Sequence, residues 1–364
     1  MSTAVEGTTG GRLRRLLPGL VLAAAVALLA RVAARLAFPP ALAVGFEVPL
    51  AMLGGLILAN VGQVNAWAAP GVRFAVKYIL GLGIVLLGLR LDLRSIALIG
   101  GEALGLVLLT ISCTCAFAAL VGRRLGVDPR VALLIGVGTS VCGASAIVAA
   151  APIVKAGDRQ VIFAVATISV IGALSVFVLP LIARALDLDV LTLGLWAGTA
   201  VPDTAQAVAS GAAYATVARD VAIVVKLVRN ALIVPVLLIV AWAWNRYGHD
   251  TEVSAETAKR SVRRAFPLFL VGFLALAMVR TAGLVDPEAL AGVDLVTQAC
   301  FVLALAGFGL QTRLAHIRQM GRRPFQLGFA TAAVLGVGSL ALILALGLEP
   351  ARTEALGSFA TRTR

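Results

Sequence analysis

Residues 138–149 read GTSVCGASAIVA and residues 198–209 read GTAVPDTAQAVA, two stretches related at an offset of 60 with Gly, Thr, Val, Val and Ala repeated. The first sits inside a long apolar run. It brings Gly136, Gly138 and Gly143 together with Thr139, Ser140, Cys142 and Ser145, and the run ends at Pro152. So glycine-rich a backbone can unwind, and in lipid an unwound backbone is tolerated only where it lines a cavity or packs against protein. Transporters bind substrate at such breaks. Close packing of small residues at a helix contact uses the same composition, so both readings stay open.

In the second stretch Pro202 removes a backbone donor and clashes with the preceding turn. Asp203 with Gln206 three residues on has the spacing of a capping box, so a helix is expected to start afresh there. Its free N–H groups and positive dipole end would favour an anion beside Thr204 and Gln206. The alternative is that Asp203 caps a short interfacial loop.

A third stretch, VAIVVKLVRNALIVP at 221–235, carries Lys226, Arg229 and Asn230. Lys226 and Arg229 are three apart and share a helix face. Lys226 lies about 13 Å from the start of its helix at ~1.5 Å per residue, near the middle of a bilayer. Charge at that depth is costly and faces a partner or a watery path. Two cations and a helix N-terminus against one carboxylate, Asp203, leave a positive surplus that an anion would relieve, with the Arg229 guanidinium suited to bidentate oxyanion contact. A structural ion pair with Asp203 is the competing reading.

Outward from these stretches, apolar runs between charged or Pro/Gly-rich breaks predict helices near 17–37, 48–66, 72–90, 95–121, 131–152, 160–183, 190–213, 217–244, 264–281, 293–312 and 324–347. The chain of 364 residues is 60% hydrophobic and 13% charged, with a mean hydropathy of +0.99. That composition excludes an ordinary soluble fold. The expectation is one all-α transmembrane domain over 1–364 of about eleven helices, with a short cytoplasmic segment at 1–16 and a cytoplasmic loop at 245–263.

Lys and Arg concentrate in alternate connections, which puts the N-terminus inside. On that side fall Arg12, Arg14 and Arg15; Arg73 and Lys77; Arg123, Arg124 and Arg130; Arg184; the 245–263 loop; and Arg313, Arg318, Arg322 and Arg323. The net charge of +13 is thereby read as topology and lipid-headgroup attraction rather than nucleic-acid binding. Four cysteines lie in apolar runs and two histidines in loops. Neither a metal site, a cofactor site nor a catalytic centre is expected, so the protein is read as no enzyme. Glu102 and Gln298 are further buried polar positions, and Arg90, Asp92 and Arg94 are read as a solvated rim.

The GTSVCGASAI, VPDTAQAVA and KLVRNALIVP stretches, in this order and spacing, resemble the YeiH family of bacterial inner-membrane proteins, to which sulfate export is ascribed. The resemblance covers nearly the whole chain after the first helix. It implies a multi-pass inner-membrane carrier of a small inorganic anion in the lipid bilayer, with a homodimer allowed. It also implies an architecture similar to bile-acid-symporter-like and cation/proton-antiporter-like carriers: one N-terminal helix, then two inverted five-helix repeats whose fifth and tenth helices are broken and cross. Under it, Gly138, Thr139, Ser140, Gly143, Ser145, Thr204, Gln206, Lys226, Arg229 and Asn230 are expected to bind substrate and Asp203 to couple an ion. A proton- or sodium-coupled carrier of an organic solute is the alternative, and an intramembrane enzyme a remote third.

Overall fold

The computed structural model describes residues 9–62, 67–91, 93–246, 254–265, 267–312 and 322–347. Every element among them is helical. The helices are α1 (Thr9–Ala37), α2 (Pro40–Val61), α3 (Ala69–Phe74), α4 (Leu80–Leu87), α5 (Leu93–Arg124), α6 (Pro129–Ser140), α7 (Ala144–Ala150) and α8 (Asp158–Ala185), then α9 (Val190–Ala200), α10 (Thr204–Ala212), α11 (Thr216–Ala231), α12 (Ile233–Arg246), α13 (Ala255–Ala265), α14 (Leu268–Thr281), α15 (Pro287–Gln311) and α16 (Arg322–Ala345). A π turn at Ala75–Ile79 joins α3 to α4, and α11 runs on into α12. Among the described residues eight spans are long and apolar enough to cross a membrane. The predicted stretches outside those eight are 131–152 and 190–213, which are interrupted, and 264–281, whose helix has only 14 residues.

Two compact units are present, Met1–Asp92 with Gly272–Ala315, and Leu93–Val271 with His316–Arg364. In the first, backbones meet directly through glycine. Gly55 of α2 lies against Ala306 and Leu310 of α15, and Gly309 lies reciprocally against Met52 and Leu56, with no room for a Cβ on either. This corrects the expectation that the tenth predicted helix is broken: α15 is continuous, and its glycines serve close packing. Arg90, assigned to a solvated rim, pairs with Asp294 at 3.0 Å. Gln298 donates to the Val44 carbonyl at 3.0 Å. Asp92 and the Glu102 side chain lie outside the described residues.

The second unit holds the interrupted stretches, and neither runs straight through. α6 is 12 residues, about 18 Å, which reaches from one face only to the middle of a hydrocarbon core ~30 Å thick. The chain then turns back, because Gly138 of α6 packs against Ile147 of α7, nine residues on. The base closes where Gln160, at the start of α8, donates to the Asp128 carboxylate at 2.7 Å. Asp128 also caps α6. α9 and α10 repeat the pattern: Asp189 caps α9, and the Tyr214 hydroxyl donates to the Leu188 carbonyl to close the second base. Arg184, at the end of α8, donates to Ala213 O at 3.0 Å beside it.

The two bases therefore lie at opposite ends of α8, a helix of 28 residues or about 42 Å. α6–α7 and α9–α10 are re-entrant hairpins that enter from opposite faces. Arg184, grouped from sequence with Arg123, Arg124 and Arg130, sits at the other end of α8 from them. The predicted 245–263 loop carries α13, whose Val262 packs on the core formed by Val127, Ile153, Leu237 and Trp244.

Candidate functional site

Both hairpins break at equivalent places. α6 ends at Ser140, the tip is Val141–Gly143, and α7 starts at Ala144; α9 ends at Ala200, the tip is Val201–Asp203, and α10 starts at Thr204. The offset of 60 seen in the sequence is thus a repeat of structure. Gly143 has φ of 64°, in the left-handed region that favours glycine, and this lets the chain reverse. A Cβ there would lie 3.4 Å from Asp203 Oδ2, so the tips face one another. They meet beside the middle of α8: Gly138 is next to Ile168, and Gln206 donates to Ser169 O at 2.9 Å.

Ending two helices in a membrane leaves carbonyls without intrahelical partners, and each must be satisfied internally. In α6 the accounting closes. Val137 O accepts from Val141 N at 3.0 Å, and Gly138 O from Gly143 N at 2.9 Å. Thr139 O and Ser140 O both accept from Arg229. The same guanidinium donates to Thr199 O and to Val201 O across the second tip. Lys226 Nζ donates to Val201 O and Pro202 O, each at 2.6 Å. Arg229 and Lys226 are completely buried. α11 carries both because α9 packs tightly along it, Gly194 against Ala218 and Val221, and Gly198 against Ala222 and Val225.

Each residue singled out from the sequence can now be placed. Lys226 and Arg229 do sit together, near the middle of the apolar span Thr216–Arg246, but among the described residues they bond main-chain carbonyls rather than Asp203. The guanidinium fork is occupied by the two tips and is not open for bidentate contact with a solute. Asp203 caps α10, accepting from Ala205 N at 2.8 Å. The expected capping box does not form, since the Gln206 side chain turns to α8. Thr139 and Ser140 side chains bond back within α6, and Gly138 serves packing inside the hairpin.

The accessible edge of the tips is made of Ser145, which is exposed, and Asp203 and Thr204, which are half-buried. Asn230 Nδ2 approaches Thr204 Oγ1 at 3.2 Å from behind. Buried beside them, Thr199 Oγ1, Gln206 Oε1 and Asn230 Oδ1 have no hydrogen-bond partner among the described residues. The described residues hold no cluster of His, Cys, Asp and Glu that could bind a metal ion. Sequence reasoning missed the closures at Asp128–Gln160 and Leu188–Tyr214. The available signal was an aspartate placed to cap each first arm, with a glycine- or proline-bearing break only 13–15 residues later.

A family profile described as "Conserved hypothetical protein 698" matches residues 18–328, which include both hairpins and α11. The chain belongs to this family. Among its members, a UPF0324 membrane protein of Pseudomonas aeruginosa is 33% identical over 341 residues, covering 90% of this chain and 94% of the relative. The UPF0324 inner membrane protein YeiH of Escherichia coli is 31% identical over 334 residues, covering 90% and 93%. One from Agrobacterium fabrum is 30% identical over 333 residues, covering 90% and 93%. The YeiH resemblance read from three short motifs therefore extends over most of the chain. No solved structure matches it. The names of these family members give a membrane location and no activity.

Proposed function

We propose that this protein is a secondary carrier that moves sulfate or a related small oxyanion across the bacterial inner membrane, with the hairpin tips as its site. The observation that carries this reading is the meeting of two oppositely inserted hairpins at the middle of α8, around two completely buried cations. Broken helices meeting at mid-depth between inverted elements are how carriers build a site reachable from either side.

Electrostatics selects the sign of the solute. Two helix C-termini and two N-termini converge at the tips, and their half-charges of about −0.5 and +0.5 cancel. Lys226 and Arg229 against Asp203 then leave one positive charge (two cations less one carboxylate). An anion at the Ser145–Thr204 edge, within the field of both cations and with hydroxyls to donate, neutralises it. The cations act on the solute through the field and through the tips they hold, while Ser145 and Thr204 make contact. The half-buried carboxylate of Asp203 favours the alternative, a proton- or sodium-coupled carrier of an organic solute.

The finer architecture follows. The inverted repeat pairs residues 129–185, a hairpin and α8, with residues 190–246, a hairpin and α11–α12. The N-terminus is cytoplasmic. Among the described residues Arg123, Arg124, Arg130, Lys155, Arg159, Arg246, Lys259, Arg260, Arg263, Arg322 and Arg323 belong to the end of the unit at Asp128, whereas Arg94, Arg184 and Arg219 belong to the other, and the Lys/Arg-rich end faces the cytoplasm.

Proteoliposomes loaded with labelled sulfate test the reading. Efflux that is saturable, competed by other oxyanions and lost in Thr204→Val supports it. Impermeability to every small oxyanion, with uptake of a cationic or neutral solute instead, would overturn it.

A further inference from the structure

The carrier reading leaves open which ion is coupled. Unwound carbonyls at a helix break are what carriers use to hold sodium. At the second tip those carbonyls, Val201 O and Pro202 O, are already occupied. The Lys226 ammonium lies 2.6 Å from each, charge-assisted distances at which no room remains for a metal ion. Lys226 is a tethered cation in a sodium-type cradle, and unlike sodium it can change its charge without leaving.

We propose that the coupled ion is a proton exchanged at the Lys226 ammonium, and that the cradle around it excludes sodium. The proposal rests on the carrier reading and names its coupling. Among the described residues the charged and titratable groups facing Lys226 are Asp203 at the start of α10, Cys142 at the first tip, and Arg229 on its own helix. From α5, Cys115 faces Ser140 and Arg229. The charged residues of α8 and α16 lie at the helix ends. Asp203 is the nearby acceptor with an accessible edge.

In the step, the N–H bond breaks, the nitrogen keeps its electron pair as a neutral amine, and the proton is carried by an intervening water, since Lys226 bonds Val201 O and Pro202 O and not Asp203, to the Asp203 carboxylate and from there to bulk water. Once it has left, the tips go from one net positive charge (Lys226 and Arg229 less Asp203) to none (Arg229 less Asp203). The anion is held in the first state and released in the second. Anion and proton therefore travel in the same direction. An inward proton gradient drives uptake, and export runs when the internal anion excess is the larger force.

Two measurements test this separately from the carrier reading. Thermal unfolding of the purified wild-type protein in sodium chloride and in choline chloride, at matched ionic strength and pH, is expected to give the same Tm. A sodium-specific upward shift would show a sodium site and overturn the proposal. In proteoliposomes with an entrapped pH dye, sulfate efflux is expected to carry protons out with it and to ignore a sodium gradient. Lys226→Arg keeps the charge but cannot release a proton, so its proton flux should fall to the background of empty vesicles. Proton-coupled flux retained in Lys226→Arg, or efflux driven by sodium, overturns the proposal. If no oxyanion moves at all, the carrier reading fails, and the Tm comparison still decides whether the cradle takes sodium.

Discussion

Arg229 is the residue where two readings of this site part most sharply. If its guanidinium waits for a solute, removing it relieves an uncompensated buried charge and costs little stability in the empty protein. The structure gives it another task. Thr139 O, Ser140 O and Thr199 O each receive a bond from Arg229, while Val201 O also has Lys226. Arg229→Ala therefore orphans three buried carbonyls. At about 1–3 kcal/mol for each unsatisfied group, the loss is roughly 3–9 kcal/mol. That approaches the whole stability of an ordinary domain, about 5–15 kcal/mol. Arg229→Lys keeps the charge but offers one nitrogen instead of a fork, and a single point cannot reach acceptors on both tips. One or two carbonyls lose their bond, about 1–6 kcal/mol. Unfolding of purified protein without solute should rank wild type above Arg229→Lys above Arg229→Ala, with a fall of several degrees for lysine by the scaling of roughly 2–4 °C per kcal/mol. A wild-type Tm in Arg229→Ala would refute the argument and return the guanidinium to the solute.

Re-entrance makes a labelling prediction: in a background lacking the four native cysteines, Lys155→Cys and Arg184→Cys should react with an impermeant thiol reagent from opposite sides of the membrane. Labelling of both from one side would mean that α8 does not cross. Gly143→Ala should lower stability by roughly the 1–3 kcal/mol that a sparsely populated positive-φ conformation costs a residue with a Cβ, read as a fall in Tm, and should slow transport because the new methyl group faces Asp203; an unchanged Tm would show that the tip can relax. Gly309→Leu should abolish folding or insertion, because its side chain would enter the α2 backbone at Met52 and Leu56, and a well-folded, thermally normal variant would contradict that packing.

Much of the helical content was legible, since runs of apolar residues at span length declare themselves and a helix must satisfy its own backbone in lipid. The breaks at 138–143 and 198–206 were legible too, from glycine, proline and a capping aspartate. Direction through the break was not. A glycine or proline shows that a helix ends, while a hairpin and a kinked crossing differ in what the next arm packs against, here Ile147 folding back on Gly138. Periodicity carries no such information. The pairing of fifth and tenth helices failed for a related reason, because glycine at a break and glycine at a backbone-to-backbone contact look alike in sequence; only the partner, Gly55, tells them apart. Arg229 was found by its depth, but its partners are carbonyls, which every residue has and no sequence marks.

The proposed repeat is symmetric in backbone and asymmetric in charge, and that has a mechanical consequence. Each proposed repeat supplies one hairpin and one long helix, yet both cations at the tips come from α11 of the second. At the offset of 60, Arg229 corresponds to Ser169 on α8, which offers only its carbonyl, to Gln206. The first repeat thus contributes an acceptor where the second contributes a charged fork. Since that fork grips Thr139 and Ser140 of one tip and Thr199 and Val201 of the other, neither tip can swing aside without breaking bonds to the same guanidinium. Independent opening of the two hairpins would each time expose carbonyls at about 1–3 kcal/mol apiece. Motion that keeps both tips with α11 avoids that cost, so under the proposed carrier function the hairpins, α8 and α11 would move as a single body with the solute at their edge.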